Sequence, residues 1–381
     1  MKRVILGASL ILFAGTGIAQ DVFIKPGTTV SISSGTPLAV GSGLTNDGTL
    51  INNGSILIGG QWVNNGTYTP GTGAITFNST APVQIINHNA QAFNTLTISG
   101  GGVKQFLADI TINDELILTS GVLESSNNAK INFGTTAAFS GGSDASHIKG
   151  TVQRSGQGNL IYPVGNGTNY LPVELVNAGT GTTASFTLHE ISNETLTRNN
   201  SLSAISDKRY WQLGLQNGNL SQSRVRLPAN GEGFADLANV VVAGSSSALG
   251  PYSGLGSSDF TGTPASGSVL SDLAPTVVFY ALAAVNNDNS ITVYNAVSVF
   301  EDGKNDYFGI QNIEQYPNNT VNIFNRWGSR VFEMKGYDNT NRGKRFNGLS
   351  SAGNTLPSGT YFYTINLGDG SETITGYLHL K

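Results

Sequence analysis

The chain contains no cysteine in its 381 residues. That excludes disulfides, thiolate metal sites and a cysteine nucleophile together. A diacylglycerol-anchored lipoprotein is excluded as well, because no Cys follows the apolar N-terminal run. Charge is scarce: Asp, Glu, Lys and Arg make up 12% of the chain, about half the usual share. Membrane-spanning runs are missing too. The uncharged stretch from Val4 to Ala14 falls short of the roughly 20 residues a spanning helix needs. No segment sustains a 3.6-residue apolar period, so helices are at most short. An exported chain without disulfides must hold itself together by ladder hydrogen bonds and core packing, which favours long regular β-structure.

Glycine is abundant, with 49 residues, and apolar residues reach 39%. The apolar share is rich in Val, Ile, Leu and Phe, which disordered chains lack. The chain therefore reads as all-β and turn-rich, long enough for two or three domains. Lys2 and Arg3 precede the apolar run, and Gly17-Ile18-Ala19 places small residues where a signal peptidase cuts. Residues 1–19 are thus expected to be a secretory signal, with the mature chain starting at Gln20. Losing Lys2 and Arg3 removes two bases and no acid, so the formal charge of −4 becomes −6. That balance argues against nucleic acid as a partner, since phosphate binding needs a basic face.

Between residues 28 and 70 a short pattern recurs: Leu44-Thr-Asn-Asp-Gly-Thr, Leu50-Ile-Asn-Asn-Gly-Ser and Trp62-Val-Asn-Asn-Gly-Thr. Asn/Asp-Gly pairs signal tight turns, because both positions tolerate positive φ. Hairpins would want longer strands between turns this close. The spacing instead predicts stacked coils of a β-solenoid, with short parallel strands and Asn ladders at the corners. Leu-Thr-Ile-type strands continue the rungs to about residue 140. From His147 the strands lengthen and alternate, as in Arg209-Tyr-Trp-Gln-Leu and Val277-Val-Phe-Tyr-Ala-Leu-Ala, which reads as a β-sandwich. Asn286-Asn-Asp-Asn-Ser290 is polar throughout and reads as a linker. The expected organisation is a signal at 1–19, a β-solenoid-like region at 20–146, a central β-sandwich at 147–285, a linker at 286–290 and a C-terminal immunoglobulin-like β-sandwich of about seven strands at 291–381.

In the last segment, Asn295-Ala-Val-Ser-Val-Phe-Glu-Asp-Gly-Lys-Asn-Asp306 is followed by Tyr316-Pro-Asn-Asn319, Phe324-Asn-Arg-Trp-Gly328, Leu356-Pro-Ser-Gly-Thr-Tyr-Phe-Tyr363 and a closing Gly376-Tyr377 strand. This ordered set closely resembles the gliding motility-associated C-terminal domain, the type B sorting domain of the type IX secretion system. In one place it departs: Val299-Phe300-Glu301 stands where the family has Pro-Asn-Gly. The resemblance implies passage through the type IX translocon, service by a PorP/SprF-type outer-membrane barrel, and a destination at the cell surface, associated with the outer membrane.

The residues expected to contact such a partner are Asn325, Arg326, Trp327, Gly328, Leu356, Pro357, Gly359, Thr360 and Tyr361. Trp327, Gly328, Pro357 and Gly359 read first as fold-formers. A tryptophan at such a turn most often caps a sandwich core. Asp302, Asn305 and Asp306 resemble the opening of a calcium loop. The third alternating oxygen and the distal Glu are absent, and Lys304 stands inside, so an Asx-stabilised turn is the expectation. His189-Glu190 opens like a zinc-protease helix, but Asn193 occupies the second histidine's place. No cofactor is implied. The chain is expected to be a non-enzymatic surface protein, its β-body structural or adhesive, with a surface glycan or other adhesion ligand as a partner class. The rival expectation is a carbohydrate-binding or carbohydrate-active protein using Trp62, Tyr68, Tyr210 or Trp211 as stacking platforms.

Overall fold

A computed structural model describes residues 3–6, 21–126, 129–285, 290–299 and 303–381. Most of the expected signal, the expected linker apart from Ser290, and Phe300, Glu301 and Asp302 lie outside the described residues. The described chain is all-β, with three 3₁₀ turns of three residues each and no α-helix. Among the described residues, no helix is long and apolar enough to cross a membrane. The chain divides into two compact units, Met1–Asn286 and Asn287–Lys381.

The first unit opens as a three-faced solenoid. Its short strands stack in parallel from coil to coil. One face runs through Val22–Ile24, Leu44–Asn46, Trp62–Asn64, Val83–Asn87, Val103–Phe106 and Val122–Ser125. A second carries Thr29–Ile32, Thr49–Asn52 and Thr67–Thr69, with Arg3–Leu6 paired beside Thr29–Ile32. The third stacks Pro37–Val40, Ser55–Ile58, Ala74–Phe77, Ala92–Ile98 and Ile110–Leu118. Alternation along each strand sends one side chain in and the next out. Parallel register then lines up Ile56, Ile75, Leu96 and Leu116, all buried, as a ladder along the axis.

The Asn ladder exists: Asn46 Nδ2 donates to Asn64 Oδ1 at 2.6 Å, one coil of 18 residues away, and both side chains are buried. The reason for the glycines differs from the expectation. Neither Gly48 nor Gly66 has positive φ. A Cβ on Gly48 would lie 2.4 Å from the Thr28 carbonyl oxygen, and one on Gly66 2.1 Å from that of Gly48. Glycine stands there because the adjacent coil's backbone presses against it, a close-approach requirement rather than a turn requirement.

Past residue 147 the same sheet changes direction. Thr151–Tyr162 pairs in parallel with Lys130–Phe133 and antiparallel with Val173–Glu190, which continues antiparallel to Arg209–Asn217. Phe279–Val285 lies antiparallel to Arg209–Asn217 and to Val240–Ser245. One hydrophobic core extends from Ile24 to Leu282 without a break.

The second unit has a five-stranded sheet in the order Ala296–Val297, Ile374–Leu380, Gly359–Asn366, Thr320–Phe324, Arg330–Lys335. A two-stranded pair, Thr292–Val293 with Ile310–Gln311, accompanies it. Val321, Ile323, Tyr361, Tyr363, Ile365, Leu378 and Leu380 point to one face and form its core with Phe308, Ile310 and Phe346.

Candidate functional site

The Asn-Arg-Trp-Gly run is a hairpin loop whose geometry follows from its residues. Asn325 carbonyl accepts from Gly328 N–H at 3.0 Å, closing a four-residue turn, and Asn325 N–H donates to Ser329 O at 2.9 Å. The Asn325 side-chain oxygen accepts from Trp327 N–H at 3.1 Å and Ser329 N–H at 2.9 Å. Gly328 has φ +80°, the left-handed position that ends such a turn and forms a bulge. The bulge shows in the register, which slips between Ile323 and Phe324. Asn and Gly thus build the loop, and the two residues between them are displayed.

Trp327 does not cap a core. It is 79% exposed, because the turn's second and third positions point away from both strands. The Arg326 guanidinium lies 5.3 Å from its ring centroid, a cation–π arrangement. Among the described residues, Arg326 makes no hydrogen bond or ion pair.

The Leu-Pro-Ser-Gly-Thr-Tyr run comes back to the same place. A depression of about 220 Å³ is lined by Asn325, Arg326, Trp327 and Val331 from the hairpin side and by Leu356, Pro357, Gly359, Thr360 and Tyr361 from the facing turn. Eight of the nine residues expected to contact a partner thus line one depression, and the ninth, Gly328, ends the hairpin turn beside it. Their roles divide. Tyr361 is buried, and its hydroxyl donates to Pro357 O at 2.8 Å, pinning the turn to its own strand. Burial raises the Tyr361 pKa, and the nearby Arg326 charge works against that rise. Leu356 packs partly against the core. Pro357 and Thr360 are exposed.

Other motif residues are scaffold for reasons the sequence did not reveal. Asn319 is buried; its amide donates to Tyr316 O at 2.7 Å and Tyr337 O at 3.0 Å, and its oxygen accepts from Tyr337 N–H at 2.8 Å. Tyr337 hydroxyl in turn donates to Phe308 O at 2.6 Å and accepts from Phe346 N–H at 2.9 Å. Gly376 precedes Tyr377 because a Cβ there would meet the Tyr363 hydroxyl at 2.3 Å.

The remaining candidates separate. Trp62 and Trp211 are both 0% exposed and Tyr68 is buried, so none of these three offers a face to a sugar. Trp62 donates its indole N–H to His88 Nδ1 at 3.0 Å inside an aromatic nest with Tyr68, Phe77 and Phe93. Tyr210 stacks on His189, with ring centroids 4.9 Å apart. His189 lies on the strand Val173–Glu190 and meets Gln212 Oε1 at 3.1 Å, so the zinc-helix reading has no helix beneath it. Asp306 Oδ2 accepts from Gly303 N–H at 3.1 Å, and Asn305 is left-handed with φ 55°. No group of three or more acidic or histidine side chains is placed to hold a metal among the described residues.

No curated protein and no solved structure matches the chain. A family model does match: the CHU_C Type IX secretion signal domain, over residues 291–380. That match covers the unit carrying the hairpin, its facing turn and the buried Asn319 hub. The C-terminal unit of this chain is a CHU_C type IX secretion signal domain.

Proposed function

We propose that residues 21–285 form a non-enzymatic passenger, a structural or adhesive surface body, which the C-terminal unit delivers and then docks at the outer membrane. The type IX signal directs the chain to that machinery and so to the cell surface or beyond. The observation carrying the docking part is the exposed Arg326–Trp327 pair. Arg and Trp are the residues most enriched where binding energy concentrates, and here the rest of their loop serves only to display them. The five-stranded sheet with its two-stranded companion supports an immunoglobulin-like sandwich reading of this unit.

The body's design supports a mechanical role. Each coil is hydrogen-bonded to the next along the axis, and one buried cluster links the coils to the strands that follow, which supports a stiff body. An outer-membrane barrel of the PorP/SprF type is the proposed docking partner.

The test is surface delivery in a type IX-secreting cell. The full chain should be accessible to protease added outside intact cells, and a chain lacking residues 291–381 should remain inside. Surface accessibility without those residues would overturn the sorting role. Purification of the full chain from outer membranes should co-elute a barrel protein, and loss of the gene should reduce adhesion or spreading. Normal adhesion and spreading would remove the adhesive reading.

A further inference from the structure

The outer face of the C-terminal sheet carries three aromatic residues in one line. Phe324 is register partner of Phe362, and Phe362 of Tyr377, across three neighbouring strands. Phe362 is 49% and Tyr377 57% exposed, although alternation had every chance to place polar residues there. The adjacent row does so, with Asn322, Thr364 and Thr375 in register. The aromatic row lines a depression of about 540 Å³ together with Arg326, Thr375 and Gly376. It is therefore continuous with the displayed hairpin.

Charge on this face has one sign left over. Its acid, Glu333, is held by Arg330 at 2.9 Å. Arg326 and Lys335 are exposed and make no ion pair among the described residues. We propose that the Phe324–Phe362–Tyr377 row and Arg326 form one docking surface for a protein of the type IX machinery, whose complementary face presents apolar side chains and a carboxylate. This rests on the sorting role of the unit.

Side chains on adjacent strands stand about 5 Å apart, so the three rings offer a continuous apolar strip, and each aromatic buries about 150–250 Å² when covered. Arg beside such a strip supplies a planar donor fork for a carboxylate.

The experiment uses the full chain in a type IX-secreting cell, reading surface protease accessibility and the melting temperature of the purified protein. The double variant Phe362→Thr/Tyr377→Thr should lose at least tenfold of its surface-delivered fraction while melting as wild type does. Thr364→Glu, which adds an acid beside the row, should do the same, and it decides the matter if the double variant fails to fold. Normal delivery of a folded double variant, or of Thr364→Glu, overturns the proposal. The chain lacking residues 291–381 runs alongside: if it is delivered, the sorting reading itself has failed; if it alone is retained, only the docking surface has. Normal delivery with lost retention on insoluble polysaccharide would make the row a glycan platform instead and also overturn the proposal.

Discussion

Arg326 and Trp327 face each other at 5.3 Å on the surface of the C-terminal unit, and no hydrogen bond or ion pair engages either side chain among the described residues. Their neighbours Asn325 and Gly328 carry the loop's hydrogen bonds and its left-handed residue. Display and support are thus divided residue by residue within four positions.

That division predicts opposite outcomes for adjacent substitutions. Trp327→Ala and Arg326→Ala should change unfolding free energy by no more than about 0.5 kcal/mol yet reduce surface delivery several-fold. Gly328→Ala forces a Cβ into a left-handed position and should cost about 1–2 kcal/mol. Urea unfolding beside a delivery assay separates the two. A Trp327→Ala chain that is delivered normally would leave the tryptophan without a docking role.

Asn319 should behave as a structural keystone. Its side chain satisfies Tyr337 N–H and the carbonyls of Tyr316 and Tyr337. Asn319→Ala leaves the Tyr337 N–H and carbonyl without that side chain, at about 1–3 kcal/mol each, while the Tyr316 carbonyl keeps the backbone N–H of residue 319 at 3.0 Å. The C-terminal unit should unfold at markedly lower urea, with the transition of residues 21–285 unmoved. A loss below about 1 kcal/mol would mean that water replaces the amide.

Some of this was legible and some was not. The solenoid could be read because coil spacing and Asn-Gly recurrence are local and repeat. The physical need for Gly48 was misread, since it arises from Thr28 of the neighbouring coil, a contact that only stacking creates. Trp327 was misread for a related reason. A rule for average tryptophans favours burial, but Asn at the first and Gly at the fourth position of the turn already specified a loop that displays whatever lies between. The row Phe324–Phe362–Tyr377 was invisible because register between distant strands decides it. The family-like motifs were read correctly as a group, while the reason for each residue lay in partners far along the chain.

His88 makes the solenoid sensitive to acid. It stacks on Phe93 at 3.8 Å, accepts the Trp62 indole N–H, and lies 5.0 Å from Tyr68. Burial lowers its pKa from 6.5 to about 3, with the Ala92 carbonyl opposing slightly. As pH falls the unfolded chain takes up the proton first. Stability from neutral His88 is therefore complete above about pH 6.5 and drains away toward pH 3. At pH 5 the loss is about 2 kcal/mol. His88→Phe should lower stability at pH 7 by stranding the indole N–H, about 1–3 kcal/mol, but remove that pH dependence. Denaturant midpoints of both chains at pH 7 and pH 5 test this, and equal drops in the two would contradict it.

Arg209 and Glu232 form the buried ion pair of the first unit, Nε to Oε1 at 2.7 Å, with side chains 6% and 0% exposed. The other Glu232 oxygen accepts the Ser206 hydroxyl, and Arg209 Nη2 donates to Asn230 O at 2.6 Å. Burial raises the Glu232 pKa, and the Arg209 charge is the main influence holding it down. Arg209→Met removes that influence and leaves a carboxylate buried alone, which should cost about 3–5 kcal/mol at pH 7. The stranded acid should then prefer its proton in the folded state, where its pKa lies further above the unfolded value. The variant should accordingly be less damaged at pH 5 than at pH 7, opposite in direction to the His88 effect. Arg209→Met/Glu232→Leu should recover much of the loss at both pH values, because a buried pair replaced by apolar groups leaves no charge behind. Denaturant unfolding of the three chains at the two pH values decides the matter. A double variant no more stable than Arg209→Met would show that the arginine acts through its contacts with Asn230 and the Trp211 ring, 5.9 Å away, rather than through the carboxylate.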